Sequence, residues 1–392
     1  MNELPLSEVL VVAAEASSEL YARRIIEEMR RRGIKLDFYG IGSSSMKTMG
    51  FDALETSENM AVVGLWEVLA HWSVISSAFK RLVKRAKEKK PAAALLLDYP
   101  DFNLRLAQKL NNLGIPVVYF ISPQVWAWRT NRVHLIKRIV SRMLVVFPFE
   151  KDFYDKFQVP VSFVGHPLLD EIKSSRLSTE QRSLARSQLG IANDAFLVGL
   201  LPGSRTSELK YNFQTQLSAV KLISKERPHI KFLILVAPSL EVESVKALLP
   251  SDFNISVRVV KDEPLKIMQA CDACIVASGT ATLMAGLAET PMVIMYKMNS
   301  LSGFLAKKLV SGPFFGMVNL ILGERAVPEL FQGEANPENI CKEILRYIDD
   351  KEYFKFVKDK LALIKTKLGS GGAASRVVDI LLQVIEKEAI SS

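Results

Sequence analysis

Residues 95–103 read Leu-Leu-Leu-Asp-Tyr-Pro-Asp-Phe-Asn, an apolar run followed by two carboxylates and the start of a helix. The run predicts a buried strand, and Asp101 stands where a helix N-cap belongs. Asp98 occupies the last strand position, with apolar residues behind it. Burial of this kind raises the pKa of a carboxylate and suits a general base.

Short β-branched runs alternate with amphipathic stretches on both sides of this segment, which predicts βαβ units and parallel sheets. The helices between them include Leu20–Arg32 and Asn103–Leu113. The strands predicted in the first half are Val9–Ala14, Asp37–Ile41, Ala92–Leu97, Val117–Ile121, Met143–Val146 and Ser162–Val164. Those predicted in the second half are Phe196–Leu201, Phe232–Ala237, Ser256–Val260, Ala273–Ala277 and Met292–Tyr296.

The domain organisation follows from length and from a change of composition after Pro167. A chain of 392 residues exceeds what one core usually serves, so we expect two domains. Residues 1–168 form the first, the polar stretch 169–192 a linker, 193–336 the second domain, and 337–392 a helical tail. Two doubly wound, Rossmann-like domains of comparable size predict an α/β fold with a cleft between facing loops.

The composition limits the classes of partner. A net charge of +9 suits nucleic acid, an anionic membrane surface or phosphate-bearing substrates. Because basic residues are not interleaved with aromatic ones, and no zinc or helix-turn-helix signature is present, we expect no nucleic acid. We recognise no signal peptide and no apolar run long enough to span a membrane, which predicts a cytoplasmic protein. Three cysteines argue against a disulfide framework, and the Cys271/Cys274 pair is interpreted as small buried residues.

Three strand-to-helix turns carry candidate ligand-binding groups. In the first, Glu15 and Ser17 either cap a helix or contact a sugar, and Glu15 could also act as an acid or base. In the second domain, Gly203-Ser204-Arg205 and Ser278-Gly279-Thr280 offer N–H groups, hydroxyls and a cation. Neither turn has the lysine of a Walker motif, and no Gly-x-Gly-x-x-Gly is present. These turns therefore predict the binding of a leaving diphosphate rather than ATP cleavage or a dinucleotide cofactor.

Aromatic residues suggest two further contacts. Trp126, Trp128 and Arg129 follow a predicted strand and could form a wall for a sugar or acyl chain, although such pairs are more often core. His166 is a possible ligand contact or a structural residue. A helix over 65–85 combines an apolar face with a basic end, which is typical of an interfacial helix or of a core-facing one. Its candidate membrane-contact residues are Trp66, Val68, Leu69 and Trp72.

Taken together, these motifs resemble the lipid-A-disaccharide synthase family of inverting glycosyltransferases with the GT-B fold. The matching stretches run in family order across nearly the whole chain. They are Ala13–Ser17, Gly40–Gly42, Ala61–Leu69, Asp98–Asn103, Ser122–Arg129, Phe147–Tyr154, Phe163–Pro167, Leu201–Arg205, Ala277–Leu283, Pro291–Tyr296 and Asn319–Gln332.

The resemblance implies a reaction between UDP-2,3-diacylglucosamine and 2,3-diacylglucosamine 1-phosphate, with UDP released and no metal or cofactor. It implies that Asp98 deprotonates the acceptor hydroxyl with Glu15 nearby, and that UDP is bound in the second domain. Residues Gly203, Ser204, Arg205, Ser278, Gly279 and Thr280 would bind UDP, completed by Asn319, Glu329 and Gln332. A diacylated substrate favours docking on the anionic cytoplasmic face of the inner membrane. The family also allows exchange of carboxyl-terminal segments, so a homodimer stays open.

The chain departs from the family pattern at three places. Ala14 and Ser18 replace glycines, Met284 replaces a glutamate well placed to bind ribose hydroxyls, and Met317-Val318 replaces Leu-Pro. Methionine cannot accept those hydrogen bonds. Two alternatives therefore stay open: another UDP-sugar enzyme such as an epimerase, and a paralogue that has lost catalysis but still binds lipid or a partner.

Overall fold

The computed structural model describes residues 7–60, 65–127, 129–172, 177–298 and 314–391. The chain divides into two compact units, 1–167 with 370–392, and 168–369. Each unit has one parallel sheet with its own helices. The predicted α/β class with two parallel sheets is therefore confirmed.

The first unit is built on a seven-stranded parallel sheet with strand order β3-β2-β1-β4-β5-β6-β7. Its strands are β1 (Ser7–Ala13), β2 (Leu36–Gly42), β3 (Asp52–Thr56), β4 (Ala93–Leu97), β5 (Val117–Phe120), β6 (Arg142–Val145) and β7 (Val161–Phe163). The central strands are apolar at nearly every position because helices cover both faces of the sheet. Gly40 in β2 cannot carry a side chain, since a Cβ there would lie 2.0 Å from the carbonyl oxygen of Val11.

The helices of the first unit are α1 (Ala16–Arg31), α2 (Ser44–Lys47), α3 (Ser57–Met60), α4 (Leu65–Lys89), α5 (Pro100–Asn112), α6 (Arg132–Ile139) and α7 (Pro148–Lys156). Ala78, Leu82 and Ala86 on α4 are fully buried, and Ile75, Phe79 and Val83 pack against the core. The carboxyl-terminal half of α4 is thus a core-facing helix, as one of the two sequence interpretations held.

The second unit has a six-stranded parallel sheet with strand order β10-β9-β8-β11-β12-β13. Its strands are β8 (Leu197–Leu201), β9 (Lys231–Leu235), β10 (Val257–Val260), β11 (Ala273–Ala277), β12 (Met292–Tyr296) and β13 (Glu329–Phe331). Its helices are α8 (Leu168–Ile172), α9 (Thr179–Gln188), α10 (Thr206–Glu226), α11 (Val242–Lys246), α12 (Pro264–Ala270), α13 (Thr280–Leu287), α14 (Met317–Leu322), α15 (Pro337–Asp349) and α16 (Lys351–Lys367). A short 3₁₀ helix spans Gln332–Glu334.

The stretch expected to be a linker is an integral part of the second unit. Arg186 on α9 is fully buried and donates to Asp272 at 3.1 Å and to the carbonyl oxygen of Ala270 at 2.9 Å. Arg182 donates to the other oxygen of Asp272 at 2.8 Å. The high charge density of this stretch reflects an ion-pair network around the buried Arg186. Composition alone does not distinguish such a network from the solvated charges of a linker.

The expected helical tail is divided between the units. Helices α15 and α16 belong to the second unit, whereas the last helix, α17 (Ala373–Ser391), belongs to the first. On α17, Val377, Val378 and Leu381 are fully buried, and the helix packs against α1 and β4. The Arg376 guanidinium donates to the carbonyl oxygen of Val164 at 2.8 Å. Within the described residues, no helix has the length and apolar character needed to cross a membrane.

Candidate active site

The first candidate site lies where β1 and β4 end side by side. Ala13, the last residue of β1, is in register with Leu97, the last residue of β4. Glu15 follows β1 by two residues, and Asp98 follows β4 directly. The strand order continues from β1 through β2 in one direction and from β4 through β5 in the other. This point of reversal is where open α/β sheets bind ligands.

Hydrogen bonds hold the backbone of Asp98 in an unusual conformation. Asp98 and Tyr99 both adopt left-handed backbone angles, with φ of +49° and +47°. The carbonyl oxygen of Asp98 accepts hydrogen bonds from the Tyr119 hydroxyl at 2.6 Å and the Asn103 amide at 2.7 Å. The Asp98 N–H donates to the carbonyl oxygen of Phe120 at 3.0 Å. Strain of this kind persists only where the surroundings enforce it, and it concentrates at functional sites.

Burial tunes the Asp98 carboxyl group for proton transfer. Burial raises the pKa of Asp98 to about 6, and the negative charge of Glu15 acts in the same direction. The backbone N–H of Tyr99 opposes both effects. A carboxylate with a pKa near 6 is ionised at neutral pH and is a stronger base than an ordinary aspartate. The structure therefore brings together the two predicted catalytic residues, Asp98 and Glu15.

The turn that carries Glu15 is closed by Ser18, one of the departures from the family pattern. The Glu15 N–H donates to Ser18 Oγ at 3.0 Å, and that hydroxyl donates to the carbonyl oxygen of Glu15 at 2.8 Å. Ser18 and Ala14 are buried, whereas Glu15 and Ser17 are exposed. The added side chains thus fill space inside the turn and leave the side chains of Glu15 and Ser17 open to a ligand.

The loops that follow β5 and β6 meet around a buried carboxyl group. One carboxyl oxygen of Glu150 accepts the N–H groups of Val146 at 3.3 Å and Phe147 at 3.1 Å. Burial raises the pKa of Glu150 to about 8, so this side chain is protonated at neutral pH. Trp126 is partly buried against Phe149, with ring centroids 4.9 Å apart. Trp126 therefore belongs in part to the aromatic packing beneath the loop.

The remaining predicted residues of this unit lie in different surroundings. Arg129 is exposed, with a guanidinium nitrogen 4.0 Å from a carboxyl oxygen of Asp101, and Trp128 lies outside the described residues. His166 is buried beside the Phe147 ring, at a centroid distance of 5.2 Å. Burial lowers the pKa of His166 to about 4, so its ring is neutral at pH 7. The side chains of Trp66, Val68, Leu69 and Trp72 also lie outside the described part of the structure.

The second candidate site is a cavity of about 380 Å³ at the carboxyl ends of β8, β9 and β11. It lies at the point of reversal of the second sheet, between β8 and β11. Pro238 and Pro264 line its apolar side, and Met284 lines it as well. The six residues of the two predicted phosphate-binding turns all line this cavity: Gly203, Ser204, Arg205, Ser278, Gly279 and Thr280.

The turn before α10 wraps around a carboxylate. Glu208, in the first turn of α10, accepts the Ser204 N–H at 2.8 Å. Gly203 has a φ of +128°, and a Cβ there would lie 2.7 Å from the same carboxylate oxygen. Glycine is therefore required at 203 both for its backbone angle and for the close approach of Glu208.

Asn319 and Glu329 do not line this cavity; they form a buried network that holds the segment before β13. The Asn319 amide donates to the carbonyl oxygen of Val327 at 2.9 Å and to Glu329 at 2.8 Å, and accepts the N–H groups of Ala326 and Val327. Glu329 also accepts the N–H groups of Phe315 and Gly316, both at 3.0 Å. All four hydrogen-bonding positions of the Asn319 amide are thus used within the protein. Gln332, at a φ of +52°, lies just beyond β13 and likewise does not line the cavity.

Sequence reasoning missed three residues that shape these sites. Glu208 is an acid in the first turn of α10 and is also a cavity-lining carboxylate. Tyr296 is the last residue of β12. Burial, and to a smaller extent the negative charge of Glu208, raises the pKa of its hydroxyl, whereas the positive charge of Arg205 lowers that pKa. Glu150 sits in Pro-Phe-Glu, three residues into a helix start, which signals a cap. Among the described residues, no cluster of three His, Cys, Asp or Glu side chains could hold a metal ion.

The whole chain resembles proteins of one known family. The family model described as lipid-A-disaccharide synthetase matches residues 9–377. A lipid-A-disaccharide synthase of Geobacter sulfurreducens is 42% identical over 388 residues, covering 99% of this chain and 100% of that protein. Another, from Nitrosococcus oceani, is 41% identical over 387 residues, covering 99% of this chain and 98% of that protein.

Solved structures share the fold at much lower identity. A UDP-GlcNAc 2-epimerase from Neisseria meningitidis, bound to UDP-GlcNAc, matches with a TM-score of 0.63 at 16% identity, covering 96% of this chain and 99% of that one. The Anabaena protein HepE in complex with UDP-glucose matches with a TM-score of 0.54 at 17% identity, covering 98% and 100%. These likenesses confirm the predicted GT-B-type fold and carry no further conclusion.

Proposed function

The chain belongs to the lipid-A-disaccharide synthase family, and from this premise we propose that it joins UDP-2,3-diacylglucosamine to 2,3-diacylglucosamine 1-phosphate. The chain is a glycosyltransferase of lipid A disaccharide synthesis. Family membership gives the class of reaction, and our proposal adds the identity of the two substrates. The products are the β-1,6-linked disaccharide 1-phosphate and UDP.

Asp98 is the proposed general base. It takes the proton of the acceptor's 6-hydroxyl while that oxygen forms a bond to the anomeric carbon of the donor. The bond from the anomeric carbon to the diphosphate breaks, and its electron pair leaves with UDP. The observation that carries this assignment is the pKa of about 6 at a strained, hydrogen-bonded strand end. Glu15 lies close enough to raise that pKa and contacts a sugar hydroxyl or assists the transfer.

The cavity of the second unit is the proposed site for UDP. Arg205 supplies a positive charge, and the first turns of α10 and α13 supply N–H groups at positively polarised helix ends. These groups stabilise the charge that develops on the leaving diphosphate. Ser278 and Thr280, which line the same cavity, add hydroxyl donors.

The lipid substrates call for contact with an anionic membrane surface, and we propose that the amino-terminal half of α4 provides it. Lys80, Lys84 and Lys87 on the same helix are exposed, as an attraction to anionic lipid requires. The protein would then lie on the cytoplasmic face of the inner membrane.

A homodimer is also compatible with the family, and analytical ultracentrifugation would determine the oligomeric state.

Release of UDP tests the proposed reaction. Purified protein is given both lipid substrates in detergent micelles, beside Asp98→Asn. The matched control is Asp101→Asn, because Asp101 is exposed on the same turn and has no role in the proposed reaction. We expect release that depends on both substrates, persists in Asp101→Asn and is lost in Asp98→Asn. UDP release without the acceptor, or no release from folded protein, would contradict the proposal and favour an epimerase or an inactive paralogue.

Sedimentation with vesicles tests the membrane contact. Replacing both Trp66 and Trp72 by serine should reduce co-sedimentation with anionic vesicles and leave the unfolding temperature unchanged. Leu184→Ser is the matched control, since Leu184 is an apolar residue of the second unit with 59% of its surface exposed. Equal sedimentation of the tryptophan variant and the control would refute a contact through α4.

A further inference from the structure

The Glu208 carboxylate occupies a hydrogen-bond donor that a diphosphate would use. Its Oε2 lies 2.8 Å from the Ser204 nitrogen and 3.5 Å from the Ser204 hydroxyl oxygen. Ser204 belongs to the strand-to-helix turn between β8 and α10, and Gly203, Ser204 and Arg205 of this turn line the cavity. Backbone N–H groups at such turns are the usual ligands of phosphate. The carboxylate therefore already fills one position of the phosphate-binding turn.

The charges around the cavity are few, so each one matters. Among the described residues that line it, Glu208 is the one carboxylate and Arg205 the one cation. Both charges influence the pKa of the Tyr296 hydroxyl, in opposite directions, which places them near the same atom. Met284 lines the cavity where the family pattern has a second carboxylate. A diphosphate bound here thus meets one attractive and one repulsive side chain.

We propose that Glu208 competes with the diphosphate of UDP for the Ser204 N–H and so sets the affinity of the enzyme for its released product. This inference rests on the proposed function, since it takes UDP as the ligand of the cavity. When the diphosphate binds, the Glu208 side chain rotates away and gives up the N–H to a phosphate oxygen. When the diphosphate leaves, the carboxylate recovers that donor, which favours product release.

Two other roles for Glu208 predict different outcomes. A glutamate that accepts hydrogen bonds from ribose hydroxyls would strengthen the binding of both uridine and UDP. A glutamate that only caps the turn would affect the stability of the second unit and leave the preference between the two ligands unchanged. The sign of the change in UDP affinity, compared with uridine, therefore separates competition from both alternatives.

Calorimetric titration of the full chain with UDP and with uridine tests the competition, using wild type, Glu208→Gln and Glu338→Gln. Glutamine keeps an oxygen that accepts the Ser204 N–H but removes the charge. We expect Glu208→Gln to bind UDP about three- to tenfold more tightly, from loss of a like charge near the phosphates, with uridine binding unchanged. Glu338→Gln removes an exposed carboxylate from the first turn of α15 and should match wild type.

Equal or weaker UDP binding by Glu208→Gln would refute this inference and leave the proposed function intact. A folded wild-type protein that binds no UDP would instead refute the proposed nucleotide site. A second measurement needs no variant: the amide signal of Ser204 in the nuclear magnetic resonance spectrum of wild type should shift with UDP and stay in place with uridine. An amide signal that does not move with saturating UDP would also overturn the competition.

Discussion

Burial raises the pKa of Asp98, and the negative charge of Glu15 adds to this effect. Asp98 must be ionised to act as a base, so its pKa of about 6 fixes the lower limit of the active pH range. Because Glu15 contributes to that raised pKa, the two carboxylates are coupled even if only one of them transfers the proton. The coupling can be measured in the pH dependence of the rate.

The first prediction concerns this pH dependence. In wild type, kcat/KM should fall about tenfold per pH unit below pH 6 and level off above it, since only ionised Asp98 accepts the proton. Glu15→Gln removes a negative charge that favours the protonated form, so the midpoint should move to lower pH. Rates measured from pH 4.5 to 8.5 provide the check, and a midpoint that stays in place would contradict the coupling.

The second prediction is that Asp98→Asn stabilises the fold while it abolishes catalysis. The folded pKa of about 6 lies above the ordinary value of 3.8, so the stability linked to protonated Asp98 is complete below pH 3.8 and is lost as pH rises through 6. At pH 8 the variant should therefore be more stable by about 1–2 kcal/mol, allowing for partial exposure. Asparagine also tolerates the left-handed backbone at this position.

Chemical denaturation at pH 8 and pH 4 measures that difference. The gain should be present at pH 8 and vanish at pH 4, where wild-type Asp98 is largely protonated. Asp101→Asn, which lies on the same turn and breaks an exposed ion pair with Arg132, should show no gain at either pH. A variant less stable than wild type at pH 8 would mean that burial and the charge of Glu15 do not destabilise the ionised Asp98.

At the scale of elements, the loops after β5 and β6 depend on the protonated Glu150. The folded pKa of about 8 exceeds the ordinary 4.5, so its contribution to stability is complete below pH 4.5 and is lost as pH rises through 8. We predict that Glu150→Gln is more stable than wild type by about 2 kcal/mol or more at pH 8. The glutamine oxygen can still accept the N–H groups of Val146 and Phe147, which one carboxyl oxygen accepts now.

Unfolding temperatures between pH 5 and 9 test the role of Glu150. Relative to Glu150→Gln, the unfolding temperature of wild type should fall between pH 5 and 8, and the difference between the two should level off above pH 8. Exposed Glu27→Gln on α1 serves as the control and should follow wild type. Parallel curves for wild type and Glu150→Gln would show that this carboxyl group is ionised in the folded protein over that range, as it is in the unfolded chain.

The buried strands were predictable from sequence, whereas two of the four edge strands, β3 and β13, were missed. The structure gives β11 and β12 the predicted bounds, because a strand covered on both faces is an unbroken apolar run. Strand β3 was missed because it is an edge strand with no fully buried residue. Strand β13 has three residues, at the opposite edge of the second sheet. Such strands depend on pairing with a neighbour, which a local pattern does not contain.

The candidate sites show the same difference between features that a local sequence pattern predicts and features that depend on contacts between segments. Strand-end position and residue type pointed to Asp98 and to the turns at Ser204 and Ser278, because ligand sites follow from sheet topology. The contact of Glu208 with Ser204 and the network around Asn319 depend on side-chain geometry between segments. A motif shows that Asn319 matters but not whether its amide is directed at a ligand or at its own backbone.

At the scale of the whole molecule, the first unit is assembled from two segments that are distant in sequence. Helix α17 returns from the carboxyl end to pack against α1 and against β4, the strand that leads into Asp98. Arg32, which directly follows α1, forms an ion pair with Asp379 and a hydrogen bond with Ser375, both on α17. Because the proposed base directly follows β4, the last helix supports the position of that base as well as the core.

The final prediction follows from this arrangement. Leu381→Ala removes a fully buried side chain of α17 and should destabilise the protein by about 2–4 kcal/mol. It should also lower kcat/KM through the support of β4, whereas the Kd for UDP should stay unchanged, since the nucleotide cavity is lined by residues of the second unit. Leu363→Ala is the matched control, because Leu363 on α16 has 46% of its surface exposed and should tolerate the change. Urea denaturation, rates and UDP titration on both variants decide the matter. Equal stabilities for the two variants would mean that α17 does not support the first unit, and a raised Kd for UDP in Leu381→Ala would mean that its effect extends into the second.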